Sequence, residues 1–506
     1  MNQPSSRAMA LLAGLLLSVS AAAQPTEPDA AGESLAPIEA PALDDPLPRA
    51  FATKRGGLTA DEVGRLAQAS SPEVRASQAE IEAAAAKVDA AMISFFPRVT
   101  LAANYTRLSP VGSSLGSGAL VGAQNPGLLG IGPCPTGSGQ CVVDSAGRPV
   151  GAAPFEIKTV LDNYSLRASL SVPVSDYVLK LSNSIASVES ARDAALLNQR
   201  AAKLRTAADA KISFYNWARG LGQVAVAEKS LTRTEARLKE ARTSFSLGTA
   251  TQADVLRLEA RVASTEAAIE AARAFRDIAS EQLRVVINDD ERALDLGEDV
   301  LGDRPDSSAG RKKLADLMQE AYAKRPEVLA LGATRRSLTK AAGVAKAGRL
   351  PRLDGFADYN YANPNTRAFP PSSGWSGSWQ AGLNLTWVVN ETFASAASAK
   401  ELDANARRIQ AQLVSLKNGL RLEVSAAYLE LRKAKAARES ARRGVKASDA
   451  AYRVAMALYQ YGKSTTTELI DAENELVAAQ LQQINAHIDV LAAEVKLAHA
   501  TGADAN

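Results

Sequence analysis

The chain has 506 residues, with 58 Lys and Arg against 55 Asp and Glu and a formal charge of +3. That near balance gives no case for a nucleic-acid partner, which calls for a strong basic excess. Two His and two Cys are too few for most zinc, haem or iron–sulfur sites, so no cofactor is expected. Aromatics make up only 5% of this alanine-rich chain, a composition that suits close-packed helices.

Residues 1–23 read as a secretory signal. Arg7 supplies the charge, Ala8 to Val19 the apolar stretch, and Ala21-Ala22-Ala23 a small-residue cleavage site before Gln24. No Cys follows that site, so a lipoprotein anchor is not indicated, and no later stretch is apolar for the roughly 18 residues a transmembrane helix needs. Residues 24–57 carry Pro25, Pro28, Pro37, Pro41, Pro46 and Pro48 and read as a disordered or surface-hugging lead-in.

A first helix is expected over Thr59–Phe95, then a strand over Arg98–Thr106 in which Val99, Leu101, Ala103 and Tyr105 oppose Arg98, Thr100 and Asn104. The Gly-, Pro- and Ser-rich stretch that follows reads as a long loop. It holds Cys134 and Cys141, which in an exported chain point to a local disulfide rather than a metal site. A second alternating strand over Tyr164–Val174 leads into a proline-free helix from about Tyr177 to Leu247, a turn and another helix. The order then recurs: helix Lys313–Gly348, strands Arg352–Tyr361 and Ser378–Val389, a long helix Glu391–Tyr461, a turn and a last helix. In the third strand Phe356 falls on the polar face, a misfit.

The recurrence is an internal duplication. Ser71-Pro72-Glu73-Val74 matches Arg325-Pro326-Glu327-Val328, and Phe96-Pro97-Arg98-Val99 matches Leu350-Pro351-Arg352-Leu353 at the same spacing. Gly248-Thr249-Ala250-Thr251 likewise matches Gly462-Lys463-Ser464-Thr465. Two repeats follow, residues 58–300 and 301–506, with the acidic link 288–310 joining them. Long helices of about 70 residues reach on the order of 100 Å, which suits a rod or a tube. Coiled-coil repeats support that: Leu402, Ile409 and Leu416 recur every seven residues beside Ala406, Leu413 and Leu420. In the last helix Ala472, Ala479, Ala486, Ala493 and Ala500 form one series, and Leu469, Leu476, Val490 and Leu497 its partner, broken at Gln483.

Trp379 and Trp387 share the apolar face of the last strand segment, eight residues and about 26 Å apart. Aromatic girdles bracket the apolar band of an outer-membrane barrel at about that spacing, although a half-buried soluble sheet gives the same alternation. If the strands do span a membrane, four of them cannot close a barrel, and open edges in lipid are forbidden. Several chains must then share one barrel.

This duplicated helix–strand–strand–long-helix–turn–helix chain behind a signal peptide resembles the TolC-like outer membrane efflux proteins. The most specific features are the two turns, Ser246-Leu247-Gly248-Thr249-Ala250-Thr251-Gln252-Ala253-Asp254 and Gln460-Tyr461-Gly462-Lys463-Ser464-Thr465-Thr466-Thr467-Glu468. The resemblance implies a mainly α protein with a membrane β-barrel. Three chains would each contribute four strands to a twelve-stranded barrel in outer-membrane lipid, and their helices would form a periplasmic tube closed at the turns. Tyr105, Tyr359, Trp379 and Trp387 would mark the membrane girdle. The partners implied are a periplasmic adaptor, docking at Leu247, Gly248, Tyr461 and Gly462, and an inner-membrane transporter.

The tip residues carry two readings. Thr251-x-x-Asp254 and Thr465-x-x-Glu468 fit the capping box, which satisfies free N–H groups at a helix start. The resemblance also implies that Glu468 and Asp471 form a cation-binding ring in the closed pore, with Asp254 and Tyr459 in the closing network. Three copies of Glu468 around one axis would repel, which raises their pKa, and capping and gating can coexist. The basic partner that the family places at position 464 is Ser464 here, with Lys463 beside it. A periplasmic coiled-coil scaffold is the competing reading. An enzyme is a remote third, because His487 and His499 read as plain helix-surface residues and no nucleophile stands in a recognisable motif.

Overall fold

The structure, a computed structural model, describes residues 46–110, 119–122, 127–134, 137–154, 160–302, 309–368 and 373–503. Residues 1–23, read as a secretory signal, and most of the lead-in lie outside the described residues. The chain order is α1 (Pro46–Ala50), α2 (Ala60–Ser70), α3 (Pro72–Ile93), β1 (Arg98–Arg107), β2 (Ala119–Gly122), β3 (Gly130–Pro133), β4 (Gln140–Val143), β5 (Gly151–Pro154) and β6 (Asp162–Val172). There follow α4 (Val174–Leu179), α5 (Leu181–Ser246), α6 (Gln252–Ile287), α7 (Leu314–Lys324), α8 (Pro326–Ala347), β7 (Arg352–Asn363), β8 (Ser376–Thr386), α9 (Val389–Gln460) and α10 (Thr466–Thr501).

Each of the two expected first helices is in fact a pair. Proline disfavours helical geometry in the residue before it, and it starts a helix well because its missing N–H needs no partner there. Ser71 and Arg325 therefore take extended conformations, and new helices begin at Pro72 and Pro326. At the first elbow the Ser71 hydroxyl accepts from the Val74 N–H at 3.4 Å. At the second, the buried Arg325 guanidinium reaches outward. Its Nε and Nη2 donate to Glu327 at 3.0 Å each, and its Nη1 donates to Glu423 of α9 at 2.8 Å and to the His499 carbonyl of α10 at 3.0 Å.

The reading of the two histidines as surface residues needs correction, since both are half-buried. Burial, and then the Arg325 charge, push His499 below the ordinary histidine value.

The largest core joins six parts of the chain. Phe214 and Trp217 of α5, with ring centroids 5.8 Å apart, meet Val63 and Ala67 of α2 and Leu283 and Ile287 of α6. Leu296 and Val300 of the acidic link and Ile484, Ile488 and Leu491 of α10 complete it. Phe51 is buried there too, so the lead-in is anchored to the helices at that residue. It sits over Gly222, where a Cβ would come within 2.9 Å of its ring. A second core gathers Leu317 and Ala321 of α7, Val424 and Leu431 of α9, and Val490, Ala493 and Leu497 of α10. Ala479, Ala486, Ala493 and Ala500 are all buried, as are Leu469, Leu476, Val490 and Leu497. Both seven-residue series of α10 therefore face neighbours.

Toward the turns, α5 packs against α6 and α10, and α10 packs against α9. Toward the other end, α8 lies against both α5 and α9, and α3 against α5. No helix among the described residues is long and apolar enough to cross a membrane.

The strands form an antiparallel sheet in the order β1-β6-β7-β8. The expected long loop between β1 and β6 is more structured than its composition suggests, because it carries two short antiparallel pairs, β2 with β5 and β3 with β4.

Candidate functional site: an apolar strand face and a helical tip

Residues directly opposite in an antiparallel sheet point to the same face, so the register decides whether the alternation of each strand adds up. It does. Leu101 pairs with Ala168, Ala168 with Tyr359 and Tyr359 with Trp379. Val99, Leu170, Ala357 and Ala381 form the next row, and Val172, Gly355 and Leu383 the one after. One face is therefore apolar across all four strands, and it is exposed, Trp379 at 73% and Leu101 at 78%. The opposite face carries Asn104, Ser165, Arg167, Ser169, Asp358, Asn360 and Gln380. There Gln380 Nε2 donates to Asp358 Oδ2 at 2.8 Å.

Phe356, the misfit, has a physical reason. Its partner across the sheet is Gly382, and its ring lies where a Cβ on that glycine would be, 3.1 Å away. The ring covers backbone that would otherwise be bare.

Tyr105 stacks obliquely on Tyr164 with centroids 4.9 Å apart, and Tyr164 lies 6.1 Å from Trp375, which stacks on Tyr361 at 5.1 Å. Sequence reasoning missed Trp375. Its parity matches Gly377 and Trp379, so extending the alternation by two alternate positions beyond Trp379 would have found it. The spacing argument for Trp387 needs correction, because β8 ends at Thr386 and α9 begins at Val389. Trp387 sits at the strand-to-helix junction, outside the strand. Cys134 and Cys141 are bonded to each other beside the β3–β4 pair, with Cα atoms 5.2 Å apart.

At the far end, α5 and α9 stop in the same way. Gly248 and Gly462 have φ of 75° and 71°, a left-handed conformation that costs glycine little. The Thr249 N–H donates to the Ser244 carbonyl at 2.9 Å and the Lys463 N–H to the Leu458 carbonyl at 2.8 Å, satisfying carbonyls the helix ends would leave free. The next helices open with capping boxes at Thr251/Asp254 and Thr465/Glu468, each bonded in both directions.

Both box acids are held below the usual carboxylate range. For Asp254 the Thr251 hydroxyl does most of this, against partial burial and aided by Thr466 and Arg257. For Glu468 the largest cause is Ser464, whose hydroxyl donates to Oε2 at 2.5 Å, followed by the Thr465 N–H at 2.9 Å. Within one chain the cap thus pulls Glu468 in the direction opposite to the repulsion expected among copies. Asp471 is exposed, and Tyr459 is half-buried against Tyr452, Met456, Leu469 and Leu476. Leu247, Gly248, Tyr461 and Gly462 are all exposed, Leu247 at 74%, beside the exposed Phe245 and Leu458.

The family model described as "Outer membrane efflux protein" matches residues 63–289 and 317–503, which is most of the chain. The chain belongs to the outer membrane efflux protein family. It is accordingly placed in the outer membrane, with a large helical portion in the periplasm. Among curated relatives, the outer membrane efflux protein BepC of Brucella suis biovar 1 (strain 1330) is 27% identical over 299 residues, spanning 55% of this chain and 59% of BepC. The fold matches the outer membrane protein VceC of Vibrio cholerae with a TM-score of 0.65 at 16% identity, covering 88% of this chain and 96% of VceC. It matches the open state of the MtrE outer membrane channel of Neisseria gonorrhoeae with a TM-score of 0.66 at 16% identity, covering 88% of each chain.

Proposed function

We propose that three copies of this efflux-family chain form an outer-membrane exit duct, through which cargo handed over by an inner-membrane transporter and a periplasmic adaptor leaves passively. The observation that carries this reading is the apolar face that runs unbroken across β1, β6, β7 and β8 while β1 and β8 keep open edges. An open edge in lipid leaves backbone groups unpaired at several kcal/mol each, so the sheet needs neighbouring copies to close it. Three copies give twelve strands, above the minimum of about eight.

The helices have matching open flanks. Leu256, Ile278 and Val285 on α6 and Val414, Leu422 and Leu429 on α9 are exposed apolar residues on helices that do not pack against each other in one chain. Joining α6 of one copy to α9 of the next would bury both sets and close a tube. The two repeats, residues 58–300 and 301–506, then act as quasi-equivalent staves.

In this reading Glu468 and Asp471 line the constricted tip, Asp254 and Tyr459 hold it closed, and Leu247, Gly248, Tyr461 and Gly462 meet the adaptor. The test is single-channel conductance of the detergent-purified protein in a planar bilayer. Discrete openings, blocked by divalent or trivalent cations in wild type and not in the Glu468→Ala, Asp471→Ala variant, are expected. Silence from both folded proteins would replace the duct with a periplasmic scaffold.

A further inference from the structure

The outer edge of β8 is unpaired by any strand, yet one of its carbonyls is already taken. Arg367, in the connection between β7 and β8, folds its guanidinium back over that edge. Its Nη1 donates to the Trp379 carbonyl at 3.0 Å and its Nη2 to Gln380 Oε1 at 2.7 Å. The connection is fixed by Asn365, which is only 4% exposed. Asn365 Nδ2 donates to the Ser376 carbonyl at 3.0 Å, and its Oδ1 accepts the Arg367 N–H at 3.0 Å. Gln380 is held in turn by its bond to Asp358.

The direction of the Trp379 carbonyl follows from alternation. Successive residues of an antiparallel strand direct both backbone groups to one side and then to the other. The Leu353 N–H donates at 3.1 Å to Oγ of Ser175 in α4, the helix that follows β6. Leu353 and every second residue after it therefore face β6. Asp354, Phe356 and Asp358 face β8 instead, opposite Asn384, Gly382 and Gln380. Tyr359 and its partner Trp379 fall between these bonded pairs, so the Trp379 carbonyl points to the free edge.

An exposed edge invites pairing with any other strand, and a charge laid across it blunts that tendency. The same carbonyl is needed for assembly. β1 has 10 residues and β8 has 11, from Ser376 to Thr386. An antiparallel partner of β1's length held within β8 must reach Trp379. Arg367 thus stands where a backbone N–H of a second copy's β1 would bond. Gln380 belongs to the polar face, so a displaced guanidinium moves toward water and not onto the apolar face.

We propose that Arg367 is a removable guard on the β8 edge. It blocks chance strand addition to the free chain and yields the Trp379 carbonyl to β1 of a second copy. The yielding rests on the shared-barrel reading; the blocking does not.

The test refolds the full-length chain from urea into detergent micelles and resolves monomer, trimer and larger species over time by size exclusion with light scattering. Arg367→Ala should form trimers about fivefold faster, the worth of one exposed hydrogen bond, and should add species larger than a trimer. Arg367→Lys keeps the charge without the planar fork that spans Trp379 and Gln380, and should fall between. Arg148→Ala removes an exposed charge between β4 and β5 and should behave as wild type. Circular dichroism identifies any variant that fails to fold, and Gln380→Ala, which leaves Arg367 one acceptor, then supplies the comparison. An Arg367→Ala chain that matches wild type in rate and in species would overturn the guard, as would an equal effect of Arg148→Ala. A wild type that stays monomeric would sink the shared barrel instead. Larger species confined to the Arg367→Ala chain would then still establish the blocking, and their absence would overturn it.

Discussion

Ser464 donates to Glu468 across one turn of helix start, at 2.5 Å. The residue standing where the family pattern places a base therefore completes the cap of the helix that carries the tip acid. Lys463, its neighbour, forms no ion pair with Glu468. In the proposed duct, closure of the tip would then draw on capping and packing more than on a bond between a basic side chain and the carboxylate.

Capping and the proposed cation binding at Glu468 can be separated experimentally. Thr465→Ala removes the hydroxyl that accepts from the Glu468 N–H at 3.2 Å and should cost about 1 kcal/mol of helix stability. It leaves both acids in place, so block by trivalent cations should persist in the planar bilayer. Loss of block in this variant would tie ion binding to the geometry of the cap.

Acid should loosen the first turn. The folded-state value of Asp254 is depressed, so its contribution is present above the ordinary value of 3.8 and is lost as pH falls through the folded value. Asp254→Asn should abolish that pH dependence at a cost of about 1 kcal/mol at neutral pH. Limited proteolysis at Leu247–Ala250 across a pH series reads it directly. Equal cleavage of wild type and variant at every pH would count against the box as a restraint on the turn.

Arg325 should be the costliest of the elbow residues to lose. Arg325→Ala strands Glu327, Glu423 and the His499 carbonyl and should destabilise by about 2–3 kcal/mol in chemical denaturation. Ser71→Ala at the other elbow should cost only about 1 kcal/mol. The same region gives a second acid effect. His499 is depressed below 6.5, so the unfolded chain binds its proton first and stability falls as pH drops below that value. His499→Gln should flatten that part of the profile.

The two faces of the sheet should answer oppositely to charge. Ala381→Lys places an ammonium on the apolar face at the middle of β8 and should cost about 2–4 kcal/mol, reducing the yield of chain folded into lipid vesicles. Ser169→Lys on the polar face should leave that yield unchanged. Equal tolerance of both would mean that the apolar face does not meet lipid.

Much of this was legible in the residues. The seven-residue series of α10, the four strands and both turns follow from periodicity and from glycine and threonine chemistry, because those signals are local. The break of each first helix was also local, written in Pro72 and Pro326, yet helical periodicity on both sides concealed it. Trp387 was misplaced because alternation cannot say where a strand hands over to a helix. Arg325 was illegible for a different reason: it matters through partners on other helices, Glu423 and His499. The one hint was that Arg325 stands where the matching motif has Ser71.

The position of α10 bears on how such a molecule comes to exist. Its Ile484, Ile488 and Leu491 belong to one core, and its Val490, Ala493 and Leu497 to the other. It is the last helix of the chain order and also the wedge between α5 and α9. A polypeptide exported amino end first therefore presents α5, α6 and α9 with neither core filled, and their apolar faces stay wet until the final helix arrives. Synthesis cut short before Thr466 therefore leaves both cores without the residues that α10 supplies.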